Sequence, residues 1–265
     1  MSYAQQSIGS NLTAGLPDGT LLGFGSDASS YYHLISSDLQ GNLTSLYTLG
    51  TNEVNQTPPF VGSDGNYYGV SYVQFGTGQG SAYVYQFTPA GAFTRIAALP
   101  LDSFSYNNDG SALFQASDGN LYGATLTCGN KYGTFYRVTL SGQYTLLYTF
   151  PAKSHNSFPG NMFQASDGNF YGVANGCCSG GPAGVGTIFQ LTPSMQYTAL
   201  VTMNGDKGQC PCKLIQGSDG NLYGATGNGG PSGAGAIFEI DLGQPSPAPR
   251  RAPSSLPAAG KEGTS

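Results

Sequence analysis

The chain has 265 residues, of which 41 are glycine, and only 9% of its residues are charged. This composition excludes a protein rich in exposed helices, whose surfaces need lysine and glutamate, and it favours strands and turns. Nine basic residues stand against 14 acidic ones, and the longest basic run is Arg250-Arg251, so no nucleic-acid partner is predicted. The 18 tyrosines and 14 phenylalanines can fill a core, so we expect the chain to fold.

Three features of the sequence bear on where the protein is located. No stretch approaches the roughly 18 consecutive apolar residues of a membrane-spanning helix, so no membrane insertion by this chain is predicted. Residues 1–10 lack the basic and apolar regions of a signal peptide, which leaves a cytosolic protein or one whose signal has been removed. Five cysteines, including Cys177-Cys178 and Cys210-Pro-Cys212, favour an oxidising compartment. An extracellular or cell-surface location is therefore expected.

The organising feature of the sequence is a repeated motif, Ser-Asp-Gly-Asn-x-Tyr-Gly. Four copies begin at Ser63, Ser117, Ser166 and Ser218, and a weaker copy that begins at Pro17 precedes them. The aspartates of the five copies follow one another at intervals of 46, 54, 49 and 52 residues. A period of about 50 residues suits four short strands per unit, with a hairpin at each Asp-Gly turn, whose glycine accepts a positive φ.

The strands of a unit are predicted in chain order. A short apolar run such as Ala112–Gln115 comes before the Asp-Gly turn, and Leu121–Thr125 follows it. The third strand carries aromatic and aliphatic residues around one polar residue, as in Tyr83–Phe87, Thr187–Leu191 and Ala236–Ile240. A Pro/Ser/Gly turn then leads to a fourth strand, for example Tyr144–Phe150. Apolar or small residues on both faces of these strands indicate sheets that are buried on both sides.

Four-stranded sheets that are buried on both faces and repeated around an axis describe a β-propeller. The sequence therefore predicts an all-β fold, a five-bladed β-propeller of four-stranded antiparallel blades over residues 1–242. A solenoid fits less well because its repeats usually contain about 20–30 residues. Prolines follow Leu242, so either Ser2–Ile8 supplies the last outer strand or the five units are part of a larger ring. Residues 243–265 are predicted to be a disordered tail or linker.

The unit from Leu214 to Thr226, followed by a glycine-rich loop and a strand of the type Gly186–Pro193, resembles the GloVer (Gloeo-Verruco) tandem repeat of bacterial choice-of-anchor proteins. The resemblance covers about residues 10–242. It implies a secreted or surface-exposed bacterial protein with a C-terminal anchor of variable type, and it implies no established activity. The first unit departs from the repeat pattern, and no anchor is recognisable in the sequence.

The cysteines are expected to gather at one end of a blade. In an up-and-down blade, the loop between strands two and three shares a face with the link to the next blade, which brings Cys177 and Cys178 near Cys210 and Cys212. Disulfides between the two pairs, a thiolate metal site and free thiols are the alternatives. Disulfides are favoured because they stabilise long surface loops, and the adjacent pair does not suit zinc spacing. No metal and no cofactor is predicted.

The candidate for catalysis is a group of ionisable residues around His155. Glu53, Asp109 and Asp206 are assigned to the corresponding links of other blades, so that acids and a base gather on one rim. A hydrolase or lyase could use such a group. A glycosidase of this fold would carry its two carboxylates on the innermost strands, and none of the predicted innermost strands contains one.

Three predicted first strands carry a glutamine at the same position: Gln115, Gln164 and Gln216. Their amides could line the axial channel and bind a neutral ligand, or brace the following Asp-Gly turn, and bracing is favoured. The aspartates of the motif are expected to stabilise their turns rather than to bind calcium. His33, aligned with Gln190 of another third strand, is expected to face solvent.

Two functions remain open. The favoured one is a secreted or cell-surface, non-catalytic β-propeller that binds carbohydrate or another surface protein, because charge is scarce, aromatic residues are abundant and equivalent clefts recur. The alternative is a secreted hydrolase or lyase that uses the rim group around His155. The fold alone does not decide between them because propellers host both.

Overall fold

The structure, a computed structural model, contains strands and one short 3₁₀ helix in the residues that it describes. Those residues are 13–14, 19–26, 32–38, 40–50, 52–55, 59–75, 79–100, 113–125, 133–150, 159–175 and 186–243. The predicted all-β class is confirmed. Within these ranges no helix has the length and apolar character needed to cross a membrane.

The strands form five antiparallel sheets, one for each copy of the repeated motif. Unit one contains β1–β4 at Thr13–Ala14, Leu21–Ser26, Tyr32–Ser37 and Leu43–Thr48. Unit two contains β5–β9 at Glu53–Asn55, Phe60–Val61, Tyr67–Phe75, Gln79–Phe87 and Phe93–Leu99. Unit three contains β10–β13 at Leu113–Gln115, Leu121–Thr125, Thr134–Val138 and Tyr144–Thr149.

The last two units complete the chain order. Unit four contains β14–β17 at Pro159–Gln164, Phe170–Asn175, Gly186–Leu191 and Tyr197–Thr202. The 3₁₀ helix at Gly205–Lys207 leads to unit five, whose described strands are β18–β20 at Gln209–Gln216, Leu222–Asn228 and Ile237–Ile240. Consecutive strands pair in units one, three, four and five, and the four-stranded sheets of units one, three and four match the prediction.

Unit two differs from this pattern because its first strand is split. Both β5 and β6 pair with the long strand β7, through Glu53 opposite Val73 and Phe60 opposite Tyr68. The assignment of Glu53 to an irregular link was therefore wrong, since this residue begins a strand. Sequence patterns missed β5 because it has only three residues, and a run that short has no recognisable alternation.

Four hydrophobic clusters hold the units together, and each joins one unit to the next. Representative pairs across the four junctions are Leu34 with Phe87, Val84 with Leu121, Phe135 with Phe170, and Ile188 with Leu222. Stacked and edge-on aromatic rings dominate two of these junctions, as with Tyr122 on Phe170 at 5.0 Å between ring centroids. None of the clusters found in the described residues joins unit five to unit one. A closed ring of five blades stays a prediction.

Two buried tyrosines in these clusters lack a hydrogen-bond partner. Tyr85 and Tyr136 are completely buried, and no described group contacts either hydroxyl by a hydrogen bond. Burial raises the pKa of both side chains. The register places Phe189 of unit four at the equivalent position, opposite the last glycine of the motif. The phenol oxygen is therefore dispensable at this position.

Tyr136→Phe should raise the free energy of unfolding by about 1 kcal/mol, because it removes a buried unpaired polar atom and keeps the ring. Urea unfolding followed by far-ultraviolet circular dichroism measures the change. Tyr171→Phe is the matched control and should lower stability, since the Tyr171 hydroxyl donates to Asp167 Oδ2 at 2.7 Å. A Tyr136→Phe variant that is less stable than the parent would contradict the prediction.

Candidate functional site

The repeated motif builds a compact hairpin turn, which is seen clearly in unit three. Gly119 has φ of +80°, which closes the turn between β10 and β11. Asp118 Oδ1 accepts the Asn120 backbone N–H at 3.0 Å, and its Oδ2 accepts the Asn120 side-chain amide and the Tyr122 hydroxyl, both at 2.9 Å. Each polar residue of the Asp-Gly-Asn-x-Tyr motif therefore has a structural role in the turn.

The hydrogen bonds of these turns change the acidity of their carboxyl groups. Burial by itself would raise the pKa of Asp64, but the Tyr68 hydroxyl and the Asn66 amides outweigh it, so its pKa lies below the usual value. The pKa of Asp219 is also lowered, chiefly by the hydroxyl of Tyr223. Carboxylates held in the ionised form accept hydrogen bonds well and are poorly suited to act as general acids at neutral pH.

The last glycine of the motif makes room for an aromatic ring. Gly123 lies opposite Tyr136 in the β11–β12 register, and a Cβ atom at this position would collide with the Tyr136 ring. The same relation recurs in three other units, for Gly69 with Tyr85, Gly172 with Phe189 and Gly224 with Phe238. The glycine thus belongs to the packing of the sheet rather than to a ligand site.

Three glutamines, here called the bridging glutamines, tie the turns of successive units together. Gln164 Nε2 donates to Gly168 O of its own turn at 2.9 Å, and its Oε1 accepts the Ser117 N–H of the preceding unit at 2.8 Å. The other two bridges run from Gln115 to Gly119 and Ser63, and from Gln216 to Gly220 and Ser166. Each amide therefore braces its own Asp-Gly turn, as the sequence favoured, and also bonds to the turn of the preceding unit.

Glu53 is the buried member of an ion pair with Arg95, whose side chain is 43% exposed. Glu53 begins β5 and is only 2% exposed, and Arg95 of β9 donates to both of its carboxylate oxygens, from Nε at 3.2 Å and from Nη2 at 2.5 Å. The hydrogen bond with Glu53 is the largest cause of the raised pKa of Arg95. The arginine also lies over the ring of Tyr83, 5.4 Å from its centroid. A carboxylate held in this way has a structural role within unit two.

Of the other members of the predicted rim group, only Asp206 lies among the described residues, and no described contact joins it to Glu53. Asp206 is exposed in the 3₁₀ helix beside unit five, where it borders a cleft of about 330 Å³ formed mainly by Val201, Met203 and Ile237. His155 and Asp109 lie outside the described residues. No group of three or more metal-ligating side chains is found in the described ranges. The catalytic roles of these residues stay predictions.

The prediction for His33 was wrong in both alignment and exposure. The β2–β3 register puts Ile35, not His33, opposite the last glycine of the first motif copy, so Ser36 is the equivalent of Gln190. His33 is only 5% exposed, and its Nδ1 lies 3.0 Å from the Thr48 hydroxyl. It contributes to the packing of unit one.

The sheets have two chemically different ends. Four Asp-Gly turns and the turns between third and fourth strands lie at one end, here called the turn face: residues 62–66, 116–120, 165–169 and 217–221, with 38–42, 88–92, 139–143 and 192–196. Because the strands are antiparallel, the segments between second and third strands and between units leave from the opposite end, here called the link face. The Asp-Gly turns of the turn face are nearly constant in sequence, whereas the segments of the link face vary.

Residues 54–247, most of the chain, match the family model described as the Gloeobacter/Verrucomicrobia repeat. The chain belongs to the Gloeobacter/Verrucomicrobia repeat family. The match confirms the resemblance found in the motif, and it begins after unit one, whose sequence departs from the pattern. No curated protein matches the chain significantly.

Solved structures with propeller-like folds are similar to this Gloeobacter/Verrucomicrobia repeat protein at low sequence identity. The GH93 α-L-arabinofuranosidase of Fusarium graminearum in complex with arabinobiose is 14% identical, with a TM-score of 0.53 over 92% of this chain and 86% of that one. A luciferin-regenerating enzyme is 10% identical, with a TM-score of 0.51 over 90% and 93%. TolB from Acinetobacter baumannii is 13% identical, with a TM-score of 0.50 over 78% of this chain, which spans 46% of TolB. These likenesses show the fold alone.

The cysteines of the Gloeobacter/Verrucomicrobia repeat protein are placed only in part. Cys210 and Cys212 belong to β18, where Pro211 lies opposite Thr226, so their assignment to an irregular link was wrong. Their side chains, and the whole of Cys177 and Cys178, lie outside the described residues. The disulfides between the two pairs stay a prediction.

Gln164→Ala should lower the free energy of unfolding of this Gloeobacter/Verrucomicrobia repeat protein by about 1–2 kcal/mol, because the Ser117 N–H and the Gly168 carbonyl both lose a partner. Urea unfolding measures the loss. Gln143→Ala is the control, since that glutamine is exposed on the same turn face. Unchanged stability combined with loss of ligand binding would instead favour the channel-lining role of the glutamines.

Proposed function

We propose that this protein is a non-catalytic binding module displayed outside the cytoplasm, and that its link face holds a neutral ligand, either carbohydrate or the surface of another protein. The observation that carries the proposal is the use of polar groups. On the turn face, the recurring carboxylates and amides bond to the scaffold itself, as Asp118 and Gln164 do. A rigid constant scaffold with variable segments at its opposite end is the usual design of a binding protein.

The composition of the link-face segments supports a neutral ligand. Residues 101–112, 126–132, 151–158 and 176–185 join strands at this end; they are rich in asparagine, serine and glycine, and they include four aromatic residues. Amide and hydroxyl groups form the directional hydrogen bonds that neutral sugars require, and aromatic rings supply apolar contact area. At the level of fold, the arabinofuranosidase solved with arabinobiose is a precedent for an oligosaccharide on a similar scaffold.

Binding and catalysis separate in one experiment. The purified protein is applied to a glycan array and, in parallel, to a broad hydrolase screen. We expect glycan binding that falls when link-face asparagines are changed, in Asn107→Ala, Asn130→Ala and Asn156→Ala. The matched controls on the turn face, Gln143→Lys and Gln196→Lys, should bind like the parent, since both glutamines are exposed there.

The hydrolase or lyase alternative has its own outcome. A general acid or base contributes roughly 10²–10⁴-fold in rate, so turnover that disappears in His155→Ala alone would overturn the binding proposal. Asp109→Asn and Asp206→Asn test the remaining rim carboxylates in the same assay. Binding to neither glycans nor surface proteins, without turnover, would also contradict the proposal.

The proposed location is tested by the state of the thiols. If Cys177 and Cys178 are bridged to Cys210 and Cys212, denatured and unreduced protein should show one reactive thiol, that of Cys128, out of five. The Cys128→Ser variant is the control and should show none. Five reactive thiols in protein purified without reductant would contradict an oxidising compartment.

A further inference from the structure

Each of the first four units presents one face to the next unit, here called its forward face. In unit four this face contains Phe163, Tyr171, Val173 and Ile188, which pack with Leu214 and Leu222 of unit five. The equivalent face of unit three, around Phe135, packs on Phe170 of unit four. The opposite side of each unit, here called its rear face, receives the preceding unit. A forward face is thus an interface that recurs along the chain.

No described residue covers the forward face of unit five in this way. The strand registers give its members as Ile215, Tyr223, Ala225 and Ile237. Ile237 is 87% exposed, whereas Ile188 and Phe135 at the same position are 0% exposed. Ile215 is 54% exposed, at a position that is phenylalanine in units three and four. An apolar face that is packed against the next unit elsewhere in the chain is therefore exposed to solvent in unit five.

The pattern of bridging glutamines is also incomplete at unit five. Ser63, Ser117 and Ser166 each donate a backbone N–H to the glutamine of the following unit. Ser218 is the equivalent serine of unit five, and no described residue accepts its N–H. The glutamine position of unit one, three residues before the turn aspartate, is Gly15, which has no side chain to offer.

The outer edge of unit five is also prepared for another strand. In unit one, Asp38 opens the turn to the fourth strand by accepting the Gln40 N–H at 2.9 Å. In unit five, Asp241 accepts the Gly243 N–H in the same way at 2.7 Å. The cleft of about 330 Å³ runs along β20 and is lined by Val201, Met203 and Phe238. It lies where a fourth strand would extend the sheet, beside the outer strand of unit four.

We propose that the forward face of unit five is a docking surface for a sixth repeat unit of the same kind. The occupant is a polypeptide that adds a fourth strand to β20, covers Ile237 with leucines at the positions of Leu214 and Leu222, and places a glutamine on the Ser218 N–H. The partner is specified by the interface itself, which the chain repeats at its preceding junctions. This inference is independent of the proposed ligand.

A second copy of this chain fits the surface poorly. A head-to-tail dimer would need the rear face of unit one, but Ile35, at the position that Phe238 has in unit five, is already only 1% exposed. A symmetric dimer would bring together two forward faces, neither of which carries a bridging glutamine. A repeat unit with its own glutamine would both bury the apolar face around Ile237 and accept the Ser218 N–H.

The test adds a sixth repeat unit to the whole chain. A second copy of residues 195–243, with serine at both cysteine positions, is inserted between Gly243 and Gln244. The sequence has no tryptophan, so Ile215→Trp in the original unit five is a single reporter, at a position where other units accept an aromatic ring. We expect strong acrylamide quenching in the unextended chain, and a blue-shifted emission with several-fold weaker quenching in the extended chain.

Stability gives a second measurement with a matched control. Ile237→Asp should leave the thermal midpoint of the unextended chain unchanged and lower that of the extended chain by several degrees, while Ile188→Asp should lower both. An inserted copy with aspartate in place of its leucine equivalent to Leu222 should leave the reporter exposed. An exposed indole in the extended chain, folded or not, overturns the proposal. Strong destabilisation of the unextended chain by Ile237→Asp, or self-association that buries the indole, overturns it as well.

Discussion

Arg95→Met should lower the free energy of unfolding by about 2–3 kcal/mol, because it leaves the buried carboxylate of Glu53 without its counter-charge, while the 43% exposure of the arginine side chain keeps the loss below that of a fully buried pair. Glu53 begins the first strand of unit two, and both of its oxygens accept from Arg95 of the same unit. Methionine keeps much of the apolar stem of arginine, so the loss reports mainly on the charge. Urea unfolding at neutral pH measures it.

The controls separate this buried pair from an ordinary surface charge. Lys213→Met removes a positive charge from an exposed position and should change stability by less than about 0.5 kcal/mol. Glu53→Met combined with Arg95→Met should recover most of the loss, since a well-packed apolar pair can replace a buried ion pair. A cost below about 1 kcal/mol for Arg95→Met would mean that the pair behaves as a solvated one.

Gly123→Ala should lower the free energy of unfolding by about 2–3 kcal/mol, because the added methyl group would overlap the buried ring of Tyr136. The backbone at Gly123 is ordinary strand, so the cost comes from packing and not from φ. The same urea titration measures the loss. The effect should appear also at Gly172, which faces Phe189.

A double-mutant cycle identifies the ring as the cause. In a Tyr136→Val background, the methyl group of Gly123→Ala enters space that the ring has left, so its cost should fall to less than about 1 kcal/mol. An equal cost in both backgrounds would show that the glycine is needed for another reason. The cycle also tests whether the closing glycine of the motif is a packing requirement.

The sequence correctly predicted structural features that depend on residues close together in the chain. The strand Leu121–Thr125 has the bounds that were predicted, and Gly119 has the positive φ expected of the Asp-Gly turn. Both results follow from residues within a few positions of one another, where turn chemistry and alternation act directly. The position of the bridging glutamines in a common register was also visible from the repeat.

The failures concern partners that are distant in sequence. Glu53 and Arg95 are 42 residues apart, and Gln164 meets Ser117 across 47 residues, and no local pattern marks either pair. The misplacement of His33 has a different cause. The later third strands have a long polar residue at the position where unit one has Ser36. The sequence alignment therefore placed His33, three positions earlier, at that position instead.

The clusters that join only consecutive units have a consequence for local opening. A chain of this kind behaves as a linear array, in which the stability of a segment is the sum of its own term and the terms of its neighbours. Units two, three and four each take part in two clusters, and units one and five in one each. Backbone amides of β7, β11 and β15 should therefore exchange with deuterium most slowly, and those of the terminal units, such as β20, most rapidly. A protease that samples such openings would shorten the molecule from its terminal units inward.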